Sequence, residues 1–249
     1  MTDERVCQLF ADWEETLIWS CLQEKMGEIK TDNLASPKSA IAKIGRYGCF
    51  GFLAGKPDET LIKYYQGEDI ILVPQDKGWS LLIENHYPGL GRVKKFLRYA
   101  TKKDTKFDKL KLESFVNNLS QKYKLIRINQ DYYHKCLGEE WLRDLVANYK
   151  NYEDYEQNGL GYLILDGDKI ISGASSFSYY DGGIEIEIDT REAYRKQGLA
   201  TIVAAKLILS CLEQNLYPSW DAHNLASLYL AEKLGYAFSH EYIAYEVNW

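Results

Sequence analysis

The sequence predicts an α+β protein with a mixed β-sheet in its C-terminal half, and three observations carry that expectation. Residues 184–190, Ile-Glu-Ile-Glu-Ile-Asp-Thr, alternate strictly, as a strand with one buried face must. Residues from Leu199 to Glu213 form a long and almost wholly apolar run of helical length. Between them lies a short basic loop with one glycine, Arg195-Lys196-Gln197-Gly198-Leu199-Ala200.

The remaining elements follow in chain order. Apolar groups at Leu9, Phe10, Trp13, Leu17, Ile18, Cys21 and Leu22 recur at helical spacing, which predicts one helix over 9–27 with Gly27 as its stop. The glycine-punctuated stretch Ile41–Gly55 reads as a hairpin of Ala42–Ile44 and Cys49–Leu53. A helix over Glu59–Tyr65, a strand Ile70–Val73, a helix Trp79–Asn85 and a strand Val93–Tyr99 complete an N-terminal part. Residues 101–108, rich in charge and poor in apolar groups, mark the expected boundary between a 1–105 domain and a 106–249 domain. Beyond it come a helix Lys109–Leu119, a strand Tyr123–Ile128 and tyrosine-rich helices over 131–157. Strands Gly161–Leu165 and Lys169–Phe177 flank the turn Asp166-Gly167-Asp168, whose Asp-Gly between apolar runs signals a hairpin. After the basic loop and its helix, a strand Tyr217–Ala222, a helix Leu225–Leu234 ending at Gly235, and a strand Glu241–Val247 close the chain. The order strand, helix, strand also occurs over Ile70–Tyr99, so the N-terminal domain is read as a smaller α+β unit, a degenerate copy of the C-terminal one that lacks its basic loop.

Composition narrows the function classes. The formal net charge of −6 disfavours binding to nucleic-acid backbones and mildly favours cationic ligands. The five cysteines, Cys7, Cys21, Cys49, Cys136 and Cys211, are odd in number and form no CxxC pair, which argues against a disulfide framework or a zinc knuckle. The first residues lack the basic-then-apolar pattern of a signal peptide, and no run approaches the roughly 18 apolar residues a membrane span needs. A cytoplasmic protein, monomer or homodimer, without metal, is the expectation. HExxH, DxDxDG and GxSxG patterns do not occur.

The basic loop is where chemistry is expected. A strand-to-helix turn aims unpaired backbone N–H groups at one point, the helix dipole adds positive potential, and Gly198 lets the backbone approach closely; the whole suits a pyrophosphate. The spacing Arg195-x-x-Gly198-x-Ala200 after a strand resembles the coenzyme A signature of the GNAT superfamily of N-acetyltransferases, and Ala193-Tyr194 fits the run leading into it. Asn224, followed by Ala231-Glu232-Lys233-Leu234-Gly235-Tyr236, resembles the superfamily's second motif. Further segments, Trp13–Thr16 with Trp19–Cys21, Ser172–Ser176 and Ser219–Asn224, resemble a two-part bacterial GNAT family of about this length that includes the zwittermicin-resistance acetyltransferase.

The resemblance implies a GNAT-like mixed sheet flanked by helices, acetyl-CoA as co-substrate, and a small-molecule amine as acceptor, an antibiotic or an amino metabolite. It implies cofactor contacts from Ile188, Asp189 and Thr190, from Arg195, Lys196, Gln197, Gly198, Leu199, Ala200 and Thr201, and from Asn224 and Ser227. Amine acetylation needs a proton acceptor, because a free amine is mostly charged at pH 7. Glu185 and Glu187 on the alternating strand are the candidates, against the alternative that they merely form its polar face. The tyrosine that usually protonates the departing thiolate is replaced by Ala231, and Tyr229 points nearly the other way round the helix. His223, Asp221, Tyr236 and Tyr242 are possible substitutes; His223 and Asn224 also read as helix-capping neighbours. Ser175, Ser176 and Tyr179 are candidates for the acceptor pocket; Lys206 is within reach of a phosphate, but a solvated helix lysine is the expectation. The alternative to an enzyme is a non-catalytic acyl-CoA sensor, favoured by Ala231 and opposed by the strand carboxylates.

Overall fold

The computed structural model describes residues 2–87 and 93–249. The chain divides into two compact units, residues 2–98 with Glu241–Trp249, and Tyr99–His240.

The first unit begins with helices α1 (Glu4–Leu9) and α2 (Thr16–Leu22). The single helix expected over 9–27 is thus two shorter ones. Turns at Phe10–Trp13 interrupt it, with Phe10 N–H donating to Cys7 O and Trp13 N–H to Phe10 O. Apolar spacing carries across the break, so periodicity alone does not register it. Strands β1 (Glu28–Thr31), β2 (Ser39–Ile44) and β3 (Cys49–Gly55) follow, then α3 (Glu59–Lys63), β4 (Ile70–Pro74) and α4 (Lys77–His86). β1 and β2 pair antiparallel, as do β2 and β3, the expected hairpin, whereas β3 and β4 are parallel across α3. Tyr245–Val247 pair antiparallel with β4. The core holds Ile41, Leu53, Leu72, Trp79, Ile83 and Val247.

The contiguous division at 101–108 therefore differs from the division in space: the last nine residues belong with the first unit. Charge density along the chain is local, whereas strand partners are chosen by hydrogen-bonding edges far apart in sequence.

The chain enters the second unit within β5 (Val93–Thr101) and continues through α5 (Lys109–Asn117), β6 (Tyr123–Arg127), α6 (Gln130–Gly138), a 3₁₀ segment Glu140–Leu145 and α7 (Tyr152–Asn158). Then come β7 (Gly161–Asp166), β8 (Lys169–Tyr180), β9 (Gly183–Thr190), a 3₁₀ turn Glu192–Tyr194, α8 (Leu199–Glu213), β10 (Tyr217–Ser219), β11 (Asp221–Ala222), α9 (Leu225–Leu234) and β12 (Phe238–Val247). The five-stranded sheet runs β10-β9-β8-β7-β6, antiparallel except for the parallel pair β9/β10.

The alternation in β9 places Ile184 and Ile186 in the core beneath α8, with Ile188 packed at its margin. Helix α8 is apolar nearly all round because it contacts β7–β10 on one side and α5 and α9 on others. On the opposite face of the sheet, the 3₁₀ segment packs against β8 and β9. Gly173, paired with Asp189, makes that approach possible: a Cβ there would lie 2.5 Å from Leu145 Cδ1 and 2.8 Å from Leu163 Cδ2. Gly173→Val is expected to destabilise the protein by about 1–3 kcal/mol through overpacking. The urea midpoint should fall accordingly; an unchanged midpoint would show that the 3₁₀ segment moves aside freely.

Candidate functional site

The site begins where a strand pairing stops. β9 pairs with β8 along its whole length, from Tyr180 opposite Gly183 to Ser172 opposite Thr190. On its other edge it pairs with β10 only over Gly183–Glu185. The expected strand Tyr217–Ala222 is interrupted at Trp220, and Asp221–Ala222 pair instead with Tyr99–Ala100 of β5. Arg191 N–H donates to Ile171 O at 2.9 Å, so by alternation the odd-numbered residues of this stretch direct their backbone groups to β8. Ile188 and Thr190 direct theirs the other way, into the gap left where β10 departs. An extended ligand entering that gap meets a strand edge able to bond to it.

Several buried groups fix the point of separation. Glu185 is only 4% exposed, and its Oε1 accepts the Asp221 N–H at 2.7 Å. Thr101 Oγ1 donates to Trp220 O at 2.6 Å, and Trp220 Nε1 donates to Ser227 Oγ at 3.1 Å. Tyr180 and Ser219 hydroxyls bond at 2.8 Å. Tyr236 donates to Pro218 O at 2.5 Å, and burial pushes its pKa well above the usual phenol value. Glu185 and Tyr236 thus hold the strands, which weakens the case for either as a proton carrier. Tyr242 belongs to the first unit, where its hydroxyl accepts from Arg98 Nε at 3.2 Å.

The loop beyond β9 has the conformation that an anion site needs. Lys196 has φ 62° and Gly198 φ 80°, two residues in the left-handed region within one short turn. Gly198 caps α8 without any side-chain hydrogen bond, and a Cβ at Gly198 would meet nothing within 4 Å. The cradle is open, and Arg195–Gly198 are exposed. Arg195 Nε donates to Thr190 O at 3.2 Å, tying the loop to the open edge of β9. In the first turn of α8, Thr201 Oγ1 accepts from Lys233 Nζ at 3.4 Å, which brings a further cation beside the loop.

The other face of β9 is acidic. Glu187 is half-buried, and its Oε1 accepts the Ile188 N–H at 3.1 Å. Burial, helped by the Asp144 carboxylate of the 3₁₀ segment and opposed by Arg195, raises Asp189 to a pKa of about 7. Arg191 pairs with Glu139 at 2.7 Å and lies 4.9 Å over the Trp141 ring, which anchors the 3₁₀ segment.

The other expected residues lie as follows. Ser175 and Ser176 are fully buried, bonded to Tyr155 at 2.8 Å and Tyr149 at 2.6 Å, so they serve the core rather than an open pocket. Tyr179 stacks on Tyr149 at 6.1 Å. Asn224 caps α9, accepting from Ser227 N at 3.0 Å, and Ser227 also holds the Trp220 indole. His223 is exposed beside that cap, Asp221 is half-buried, Ala231 is fully buried and Tyr229 points outward, 63% exposed. Lys206 lies 5.2 Å over the Tyr162 ring, a cation–π contact. Asp144 and the Arg191–Glu139 pair were not legible in sequence, because the 3₁₀ segment carries no periodic signal. Among the described residues no group of three His, Cys, Asp or Glu could hold a metal ion, and no helix is long and apolar enough to cross a membrane.

Comparison with known proteins identifies the family. The GNAT acetyltransferase family profile matches residues 7–245, so the chain belongs to that family. A GCN5-related N-acetyltransferase-like protein from Streptococcus suis 89/1591 has a crystal structure that superposes with a TM-score of 0.96, at 52% identity over 98% of each chain. A putative GNAT-family acetyltransferase from Novosphingobium aromaticivorans shares the fold, with a TM-score of 0.54 at 15% identity over 94% of this chain and 96% of that one. The uncharacterized N-acetyltransferase YdfB of Bacillus subtilis is 35% identical over 105 residues, and the match spans 40% of this chain and 40% of the relative.

The Asp189 carboxyl generates a pH-dependent stability. In the folded state it keeps its proton up to about pH 7, against an ordinary value of 3.8. The folded chain then binds more protons than the unfolded one between these values, so this contribution is complete below about pH 3.8 and is lost as pH rises through about 7. Asp189→Asn should melt higher than wild type at pH 8, by roughly 2–4 °C per kcal/mol regained, and the gap should narrow toward pH 4. A gap of equal size at both pH values, read by scanning fluorimetry, would contradict the assignment.

Proposed function

We propose that this GNAT acetyltransferase moves an acetyl group from acetyl-CoA to the amine of a small molecule by direct attack. The observation that carries the reading is the open edge of β9 continuing into the exposed, left-handed loop at the N-terminus of α8. One end of that path suits a thioester and the other a pyrophosphate. Arg195, Lys196 and the N–H groups around Gly198 would hold the pyrophosphate. Ile188 and Thr190 would face the pantetheine chain and the carbonyl oxygen, where charge develops during attack.

Glu187 is the favoured base, since Glu185 is occupied with Asp221 N–H. The amine's first proton passes to the Glu187 carboxylate and on to water. The nitrogen lone pair then attacks the carbonyl carbon, the C–N bond forms, and the C–S bond breaks with its electrons on sulfur. The second amine proton ends on the thiolate. With Ala231 in the usual tyrosine position, no phenol delivers that proton, but a thiol of pKa about 8.5 leaves tolerably as thiolate near neutral pH. His223 and Asp221, beside the start of α9, are the candidates for a proton carrier in its place. The acidic face of β9 suits a cationic acceptor, and the resemblance to the zwittermicin-resistance acetyltransferase points to an antibiotic or amino metabolite. The competing reading, an acyl-CoA sensor without turnover, has the buried Ala231 in its favour. Steady release of free thiol with a panel of amines separates the two.

The first unit repeats the order strand, helix, parallel strand in β3–α3–β4, yet its strand-to-helix turn is closed to an anion. Asp58 Oδ1 accepts the Thr60 N–H at 2.8 Å, placing a carboxylate where an anion would lie, and Pro57 lacks an N–H. Calorimetry should therefore give one acetyl-CoA per chain; a stoichiometry near two would refute this. Gly198→Val, a β-branched residue at φ 80°, should abolish that binding while the fold persists. Unchanged affinity would remove the loop from the reading. Glu187→Gln should lower kcat/KM about 10²-fold or more at pH 7 and much less at pH 9, where more amine is already free. A variant matching wild type across the pH–rate profile would place the base elsewhere.

A further inference from the structure

We propose that Glu187 occupies the place of the acyl carbonyl until acetyl-CoA arrives, so that the site distinguishes acylated from free coenzyme and frees its base only when a thioester is present. This rests on the functional reading above and concerns how that same site is regulated.

The Ile188 N–H points into the gap beside β9, as the alternation fixed by the Arg191–Ile171 hydrogen bond requires. It is a donor on the open edge, beyond Ser219, where β10 no longer accompanies β9. The Glu187 carboxylate folds over the peptide and accepts that N–H at 3.1 Å. A carboxylate on a backbone N–H makes a charge-assisted bond, stronger than the bond a neutral thioester carbonyl would make in its place. The contact also spares the strand edge an unpaired donor in a half-buried setting.

Three consequences follow. An acyl carbonyl directed at Ile188 must displace the carboxylate, which costs part of the acyl group's binding energy. Free CoA has no carbonyl at that position and leaves the contact intact. The displaced carboxylate, released beside the thioester, becomes available to the incoming ammonium. Glu185 does not work this way: it is more deeply buried and its bond to Asp221 N–H holds the backbone at the parting of the strands.

The test compares affinities for acetyl-CoA and CoA by calorimetry in wild type, Glu187→Gln and Glu187→Ala. The Ala variant leaves Ile188 N–H free for the ligand and should bind acetyl-CoA about threefold to tenfold tighter than wild type, with CoA affinity unchanged. The Gln variant keeps a neutral acceptor and should fall between. In wild type labelled with ¹⁵N, the Ile188 amide resonance should move much farther on adding acetyl-CoA than on adding CoA, which brings only the shared pantetheine past it, a readout that needs no variant to fold. A fixed ratio of the two affinities across all three proteins, or an Ile188 resonance that answers both ligands alike, would overturn the inference while leaving the functional reading standing. A wild type that binds neither ligand would overturn the functional reading, and this inference with it.

Discussion

Parallel strands joined through a helix tend to go on pairing, since each slanted hydrogen bond positions the next donor. Between β9 and β10 that progression ends after three residues, and the Glu185 carboxylate marks where. By accepting Asp221 N–H at 2.7 Å it supplies the bond that a continuing β9 backbone would otherwise offer, and it does so from a buried position. Trp220, held at its carbonyl by Thr101 and at its indole by Ser227, turns the chain away, and Asp221–Ala222 find Tyr99–Ala100 instead. The gap, and the Ile188 and Thr190 backbone groups that face it, depend on that early stop. A strand edge left open in this way is ordinarily a liability. Here it is short and flanked by a basic loop, and under the proposed function a ligand completes the pairing.

Electrostatics then divides the site by face and by distance along β9. The loop end carries Arg195, Lys196, the α8 dipole and Lys233 near Thr201. The acidic face carries Glu187, Asp189 and, from the 3₁₀ segment, Asp144. Arg195 links the two regions, because it lowers Asp189 while burial and Asp144 raise it. A phosphate drawing Arg195 outward would weaken that opposition, so the acid face and the anion loop influence each other through one guanidinium.

Much of the fold was legible because its signals are local. The strict alternation of 184–190 placed three isoleucines under α8, the apolar run Leu199–Glu213 was the whole of a helix, and Gly235 ended α9 in a left-handed conformation. The basic loop between β9 and α8 was legible for the same reason, as strand, glycine and helix follow in sequence. Features set by distant partners were not. The segment Tyr217–Ala222 gives no sign that Trp220 divides it into two strands with different partners. The periodic apolar groups of 9–22 give no sign that the helix breaks at Phe10–Trp13. Ser175 and Ser176, small and polar next to an active strand, look like pocket residues until Tyr155 and Tyr149 are found bonded to them. Asp144 could not be paired with Asp189 from a segment with no periodicity.

One device recurs through the chain with three outcomes, and burial separates them. A carboxylate accepts a backbone N–H at Asp58 on Thr60, at Glu185 on Asp221 and at Glu187 on Ile188. At Asp58 the bond is an exposed helix cap, and it fills with the chain's own charge the turn that in the second unit is left for a ligand. At Glu185 the carboxylate is buried, its removal would leave an amide without a partner in a dry setting, and the bond is therefore structural. Glu187 lies between these extremes: buried enough for its bond to matter, open enough for solvent to take the carboxylate once a carbonyl replaces it. The same chemistry thus caps a short helix, marks the end of a strand pairing and covers a donor on the open strand edge. The difference lies in how much water reaches each carboxylate rather than in the residue types, which is why Glu185 and Glu187, two residues apart on one face of one strand, have different roles.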